Sequence, residues 1–170
     1  MSEMQPLPID PKHMSLLWAG PDDALEISRM HADTQRSPWS EDSVRDLLAN
    51  PCSSALIVKI RLLEGNHPAA AGFIMGQIAG DAVEVLSIGV LPPFRRFGLG
   101  QALVEGLIRA AQRAEAERVT LEVGIDNAPA IGLYETLGFV EVGRRKDYYK
   151  NSDGTSVDAL ILVRDIESAG

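Results

Sequence analysis

Three apolar, β-branched runs stand nearly end to end in this chain: Ala55–Leu63, Ala71–Ala79 and Ala82–Val90. Gly80-Asp81 separates the last two, and a Gly-Asp pair between strand-like runs reads as a hairpin turn. Glu64-Gly65-Asn66-His67-Pro68 supplies the earlier turn. The segment therefore predicts three antiparallel strands, and Pro92-Pro93 ends the third. A helix must follow, from Gly98 to about Ala116. Leu99, Leu103 and Leu107 recur every four residues and share a face with Ala102, Gly106, Ala110 and Ala111, while Glu105, Arg109, Arg113 and Glu117 lie outside.

The flanks complete the pattern. Met14–Trp18 is a short apolar run that predicts a first strand. Pro21-Asp22-Asp23 opens a helix, with carboxylates at its positive end and a rough face of Ala24, Ile27 and His31, or of Leu25 and Ile27-Ser28-Met30. Ser40 is placed to cap a second helix that buries Val44, Leu47 and Leu48 and stops at Asn50-Pro51. Val119–Val123 reads as a buried strand. Asn127-Ala128-Pro129 starts a helix that ends at Leu137-Gly138. Val140–Tyr149 and Val157–Val163 close the chain as a hairpin around Asn151-Ser152-Asp153-Gly154. The predicted order is β-α-α-β-β-β-α-β-α-β-β, an α/β domain. At 170 residues it is one domain, over 14–166, behind a loose leader of residues 1–13.

Composition narrows the function. Lys and Arg total 16 against 24 Asp and Glu, a formal charge of −8, which argues against general binding to a phosphate backbone. Residues 1–90 carry 6 basic and 12 acidic side chains and residues 91–170 carry 10 and 12, so the second half is relatively basic. The one cysteine, Cys52, precludes an intrachain disulfide, and His13, His31 and His67 have no metal-ligand spacing. No run approaches the ~18 apolar residues of a membrane span, and Met1–Pro11 lacks the apolar core of a signal peptide. A cytoplasmic protein with no metal and no membrane partner is expected.

Three places could carry chemistry. Arg95-Arg96-Phe97-Gly98-Leu99-Gly100 puts two glycines and two arginines at a helix start, where free N–H groups and the helix dipole attract anions. The residues alone also allow a plain glycine-rich helix start. There is no P-loop pattern, and Leu103 stands where a dinucleotide fingerprint needs a third glycine. Glu122 interrupts the apolar strand Leu121-Glu122-Val123, either as a solvent-facing residue or as a base in a cleft. Tyr134, on the helix after Asn127, is a packing residue or a proton donor.

Together these segments have the pattern R-x-x-G-x-G, then L-E-V, then N-x-x-A-x-x-L-Y-E-x-x-G-F. From about Val85 to Phe139 the chain resembles the GNAT family of acetyl-CoA-dependent N-acetyltransferases. Pro38-Trp39-Ser40-Glu41, Tyr148-Tyr149, Asp153-Gly154 and Asp158-Ala159 extend the likeness to the RimI-type ribosomal-protein-alanine N-acetyltransferases within it. The resemblance implies one GNAT-like domain: a mixed, mostly antiparallel sheet of about seven strands with about four helices. It implies acetyl-CoA as co-substrate, with the backbone of Ile88, Gly89 and Val90 pairing with the pantetheine arm. Arg95 and the turn formed by Arg96, Phe97, Gly98, Leu99, Gly100 and Gln101 would hold the pyrophosphate, and Asn127 would make a polar contact near the thioester. Glu122 matches the general base and Tyr134 the general acid. Trp39, Glu41, Tyr148 and Tyr149 would receive a peptide N-terminus, from a ribosomal protein if the narrower likeness holds. Two positions depart from the RimI-type pattern, Gly124 in place of a basic residue and Asp147 in place of a neutral one. The rival readings are a GNAT enzyme for a lysine or small-molecule amine, and a non-catalytic acyl-CoA-binding regulator.

Overall fold

The computed structural model describes residues 9–62 and 67–167. Seven strands form one sheet in the order β1-β2-β3-β4-β5-β7-β6. They are β1 (Ile9–Trp18), β2 (Ser53–Leu62), β3 (Ala69–Ala79), β4 (Ala82–Val90), β5 (Arg118–Gly124), β6 (Val140–Lys150) and β7 (Ser156–Asp165). Four helices cover it: α1 (Ala24–Thr34), α2 (Glu41–Ala49), α3 (Leu99–Arg113) and α4 (Ala128–Thr136). Short 3-10 turns at Pro21–Asp23 and Pro92–Phe94 join strand to helix. The element order and mixed sheet are those expected from the sequence. β1 starts earlier than expected, at Ile9, so the strand takes in residues 9–13 that read as leader. A register shift between Ile9 and Met14 accommodates Pro11 on this edge strand. The rest of the expected leader and most of the Glu64–Pro68 turn lie outside the described residues.

Strand alternation divides the core in two. Leu56, Val58, Ile60 and Ile74 point to α3 and α4, joined by Leu103, Leu107, Val119 and Leu121. Ala55, Ile57, Phe73 and Met75 point the other way, against Ile27 and Met30 of α1 and Val44 and Leu48 of α2. Local signals set the helix ends. The Ser40 hydroxyl accepts from Ser43 N at 3.1 Å, and the Asn127 carbonyl oxygen accepts from Ala130 N at 3.3 Å. Gly138 follows α4 at φ +88°, a left-handed conformation that glycine adopts without strain.

β4 and β5 pair in parallel over only three rows, Ala82 with Arg118, Val83 with Val119 and Glu84 with Thr120. Asp81 and Arg118 clamp that end with an ion pair, and Glu117 N donates to Asp81 O at 2.7 Å. The guanidinium holds the Asp81 carboxyl below its ordinary pKa. Just beyond, β4 bulges: Met75 pairs with Ser87, yet Gly76 pairs with Val85. The bulge and the end of pairing open a V between the strands.

Close packing on the α1 side of β4 depends on Gly89. A Cβ there would sit 2.3 Å from Thr34 Oγ1 and 2.9 Å from Phe73 Cε1. Gly89→Val is expected to lower unfolding stability by about 1–3 kcal/mol through overpacking, read from urea denaturation.

Candidate active site

The open end of the V is a cleft of about 430 Å³. Its walls come from the end of α1 and the α1–α2 loop, β4, β5, Asn127 and Tyr134 at the two ends of α4, and the end of β6. It gathers Ile88, Glu122, Asn127, Tyr134, Trp39, Tyr148 and Tyr149 from the predicted set. A larger hollow of about 770 Å³ lies among Ile108, Val140, Val163 and Arg164, with no tyrosine on its wall. We place the chemistry in the smaller one, where a carboxylate and a tyrosine face the same gap.

Glu122 sits between Leu121 and Val123, which are buried against α3 and α4, so its own side chain turns to the α1–α2 face. Its carboxylate is 17% exposed and pairs with Arg145 Nε at 3.0 Å. The Glu122 carboxylate beside Tyr148 raises that tyrosine's pKa. Tyr149 donates to the Glu122 backbone carbonyl at 3.3 Å. Tyr134 reaches the cleft from the other layer, packed edge-on against Phe139 at 5.8 Å. Burial pushes its pKa up to about 12, so its hydroxyl keeps its proton throughout the neutral range.

Trp39 both walls the cleft and packs on the core. It stacks on His31 with ring centroids 4.7 Å apart, and its backbone N–H donates to His31 Nδ1 at 3.1 Å. Burial lowers the His31 pKa, which favours the neutral ring this bond requires. Glu41, by contrast, is engaged on its own helix by Arg45 and does not line the cleft.

The predicted cofactor residues divide by role. Arg96 at φ +71° and Gly98 at φ +77° form the left-handed turn before α3. No side chain caps that helix, space is open around Gly98, and Arg95 and Arg96 are exposed beside it. The N–H groups of Leu99, Gly100 and Gln101 therefore fit a pyrophosphate. Leu99 itself is a core side chain and Phe97 is exposed. On β4, Gly89 turns its Cα to α1, so it can offer only backbone. The carbonyls of Ile88 and Val90 accept from Gln35 Nε2 at 2.8 Å and Arg95 Nε at 3.0 Å. Among the described residues Ser87 Oγ is the buried side-chain polar atom without a partner, and Ser87 lines the cleft. An unpaired buried hydroxyl beside free strand edge suits a polar, extended ligand arm.

Sequence reasoning missed Arg36, Ser87 and Arg145. Arg36 binds Asp126 at 2.6 Å and Asn151 at 3.0 Å and lies 5.4 Å over the Tyr149 ring. These contacts join segments up to 115 positions apart. No local signal marks them, apart from the arginine pair at 144–145 preceding two tyrosines.

Comparison with known proteins decides the family. The acetyltransferase (GNAT) family model matches residues 24–139. The chain belongs to the GNAT family. It is 35% identical over 126 residues, 74% of this chain and 80% of the other, to the ribosomal protein bS18-alanine N-acetyltransferase of Salmonella typhimurium. The crystal structure of the ribosomal-protein-S18-alanine N-acetyltransferase from Escherichia coli superimposes with a TM-score of 0.80 at 29% identity, covering 92% of this chain and 96% of that one. The fold is also that of Arabidopsis thaliana NAA60 in complex with acetyl-CoA, at TM-score 0.80 and 20% identity, over 90% and 98% of the two chains. This GNAT chain is an acetyl-CoA-dependent N-acetyltransferase.

Tyr134 burial makes a stability prediction. A folded-state pKa raised from 10.0 to about 12 leaves stability intact below pH 10 and removes it as pH rises to about 12. Wild-type protein is expected to lose roughly 2–3 kcal/mol more than Tyr134→Phe over that interval, measured by urea denaturation at stepped pH.

Proposed function

We propose that this acetyltransferase modifies the N-terminal α-amine of a protein, with the N-terminal alanine of ribosomal protein bS18 as acceptor. The observation that carries the reading is the acceptor end of the cleft. There the Glu122 carboxylate faces a slot with aromatic walls at Trp39, Tyr148 and Tyr149, in a chain similar to enzymes named for that substrate. Flat apolar walls beside the carboxylates of Glu122 and Glu84 suit a chain end that brings a positive nitrogen between short side chains. The net charge of −8 favours encounter with a basic protein. A cytoplasmic location accords with a ribosomal acceptor, and among the described residues no helix is long and apolar enough to cross a membrane.

Acetyl-CoA supplies the acetyl group already activated as a thioester. The free N–H groups at the α3 N-terminus, with Arg95 and Arg96, would hold the pyrophosphate. Pairing of the β4 edge with the pantetheine arm would release Ile88 O from Gln35 and Val90 O from Arg95. Glu122 takes the proton of the incoming ammonium. An α-amine, with a reference pKa near ~8, gives it up more readily than lysine at ~10.4. Tyr134 donates to the departing sulfur from the opposite wall. Its high pKa makes it a weak acid, but one that is present wholly in the donor form. Each group is expected to contribute about 10²–10⁴-fold, and no covalent bond to the enzyme is required.

Two peptides of equal charge test the acceptor. One has a free N-terminal alanine and a blocked lysine; the other has the reverse. Mass spectrometry should find the acetyl group on the alanine nitrogen, and preferential lysine acetylation would overturn the acceptor assignment. Glu122→Gln and Tyr134→Phe should each lower kcat by about 10²-fold or more, with smaller changes in KM. Near-wild-type turnover by both would remove the proposed acid and base.

A further inference from the structure

The base is already occupied by a cation of the protein's own. Arg145 Nε lies 3.0 Å from Glu122 Oε1, although β7 runs between the strands that carry them. The register explains the reach. Gly124 pairs with Ala159, and Ala159 with Arg145, so Arg145 stands on the Glu122 face two strands away. The residues beneath it are an alanine and a glycine, low enough for the arginine stem to pass over. A Cβ at Gly124 would meet Asp126 Oδ1 at 2.6 Å, so a larger residue there would push the Asp126 side chain aside.

The strand is shaped to keep this arrangement. Between Arg145 and Tyr149, β6 holds two more residues than β7 opposite it, and Asp147 at the crest adopts φ +53°. The crest is tied down twice: Asp147 N donates to Asp158 Oδ1 at 3.0 Å, and Ser156 Oγ donates to Asp147 Oδ1 at 2.7 Å. The bulge brings Tyr148 back over Arg145, with the guanidinium 5.3 Å from the ring centroid. Glu122, Arg145 and Tyr148 are thus gathered at the acceptor end. Half of the arginine side chain remains in water, so it is free to leave.

We propose that Arg145 is a specificity-determining residue that holds the place of the acceptor's ammonium on Glu122. Resting on the reading of Glu122 as base, it admits an acceptor that delivers its own positive nitrogen to the carboxylate. An acceptor lacking that charge gains nothing to set against the lost ion pair. The arginine acts as a built-in competitor, and its removal strengthens binding of charged acceptors.

Calorimetry on the full chain in the presence of CoA tests this without turnover. The probes are a peptide with a free N-terminal alanine and the same peptide N-acetylated. Exposed pairs of this kind are weak, so Arg145→Gln is expected to tighten the free peptide about two- to fivefold. The acetylated peptide should be unchanged, and Arg145→Lys should stay close to wild type. In a Glu122→Gln background the Arg145→Gln effect should vanish. If binding heat is too small, the acceptor KM at saturating acetyl-CoA should fall by the same factor. Unchanged or weaker binding of the free peptide by Arg145→Gln would overturn the proposal, as would equal tightening of both peptides. Turnover of Glu122→Gln separates the two readings. Near-wild-type turnover there sinks the base itself, whereas a slow Glu122→Gln enzyme with weakened Arg145→Gln binding sinks only the role of Arg145.

Discussion

The short parallel pairing of β4 with β5 governs the rest of the molecule. Three rows hold the strands together at Ala82–Glu84, and the Asp81–Arg118 pair and Glu117 N–H fix that end. Past Glu84, both strands have backbone groups that face each other without pairing. Buried N–H and C=O groups left without partners are costly, so the gap must be answered by something. In this structure side chains answer it, with Gln35 on the carbonyl of Ile88 and Arg95 on that of Val90. Both come from segments that would frame the ligands, one from the α1–α2 loop and one from the turn before α3. A ligand arm that pairs with β4 therefore exchanges like for like, and the site can open without exposing bare strand.

The same gap explains why the proposed acid and base differ in environment. Glu122 points to the α1–α2 face, where the cleft meets water and an arginine. Tyr134 belongs to the α3–α4 layer, at 5% exposure, among apolar neighbours. Burial keeps the phenol neutral. The separation of carboxylate and phenol onto two walls would also fix direction in the proposed reaction: a proton arrives at one wall and another leaves from the opposite one.

Local signals carried much of this into the sequence. Gly80-Asp81, Ser40, Asn127 and Gly138 mark ends that depend on a few neighbouring residues, and the structure places turns and caps there. Register is a different kind of information. Gly89 reads as part of a ligand-binding strand, yet its bare Cα answers to Phe73 across the hairpin and to Thr34, on a helix far away in the chain. Glu41 adjoins Trp39 in sequence, but helical spacing gives it to Arg45. Arg145 meets Glu122 only because two successive strand pairings and a bulge align them. The departures at Gly124 and Asp147 belong to that same arrangement: one leaves room for the arginine and the other sits at the crest of the bulge.

The two ends of the cleft are built to different standards of rigidity. The closed end is anchored by paired strands and a packed core. The acceptor end is joined by Arg36, whose half-exposed side chain holds Asp126, Asn151 and the face of Tyr149 at once. Exposed ion pairs and cation–π contacts contribute little each, typically under ~1 kcal/mol. They can define the shape of a mouth without locking it. Tyr149 is held more firmly, by Arg36 outside and by its hydroxyl on the Glu122 backbone within. Tyr148 is the more exposed ring; it packs edge-on against Tyr149, with centroids 4.9 Å apart, and under the Arg145 guanidinium. One wall is therefore fixed to the strand that carries Glu122, while the other shares its contacts between Tyr149 and the arginine. On the proposed exchange, a chain end that displaces Arg145 also takes one contact from Tyr148, so acceptor charge and acceptor shape are read at one place.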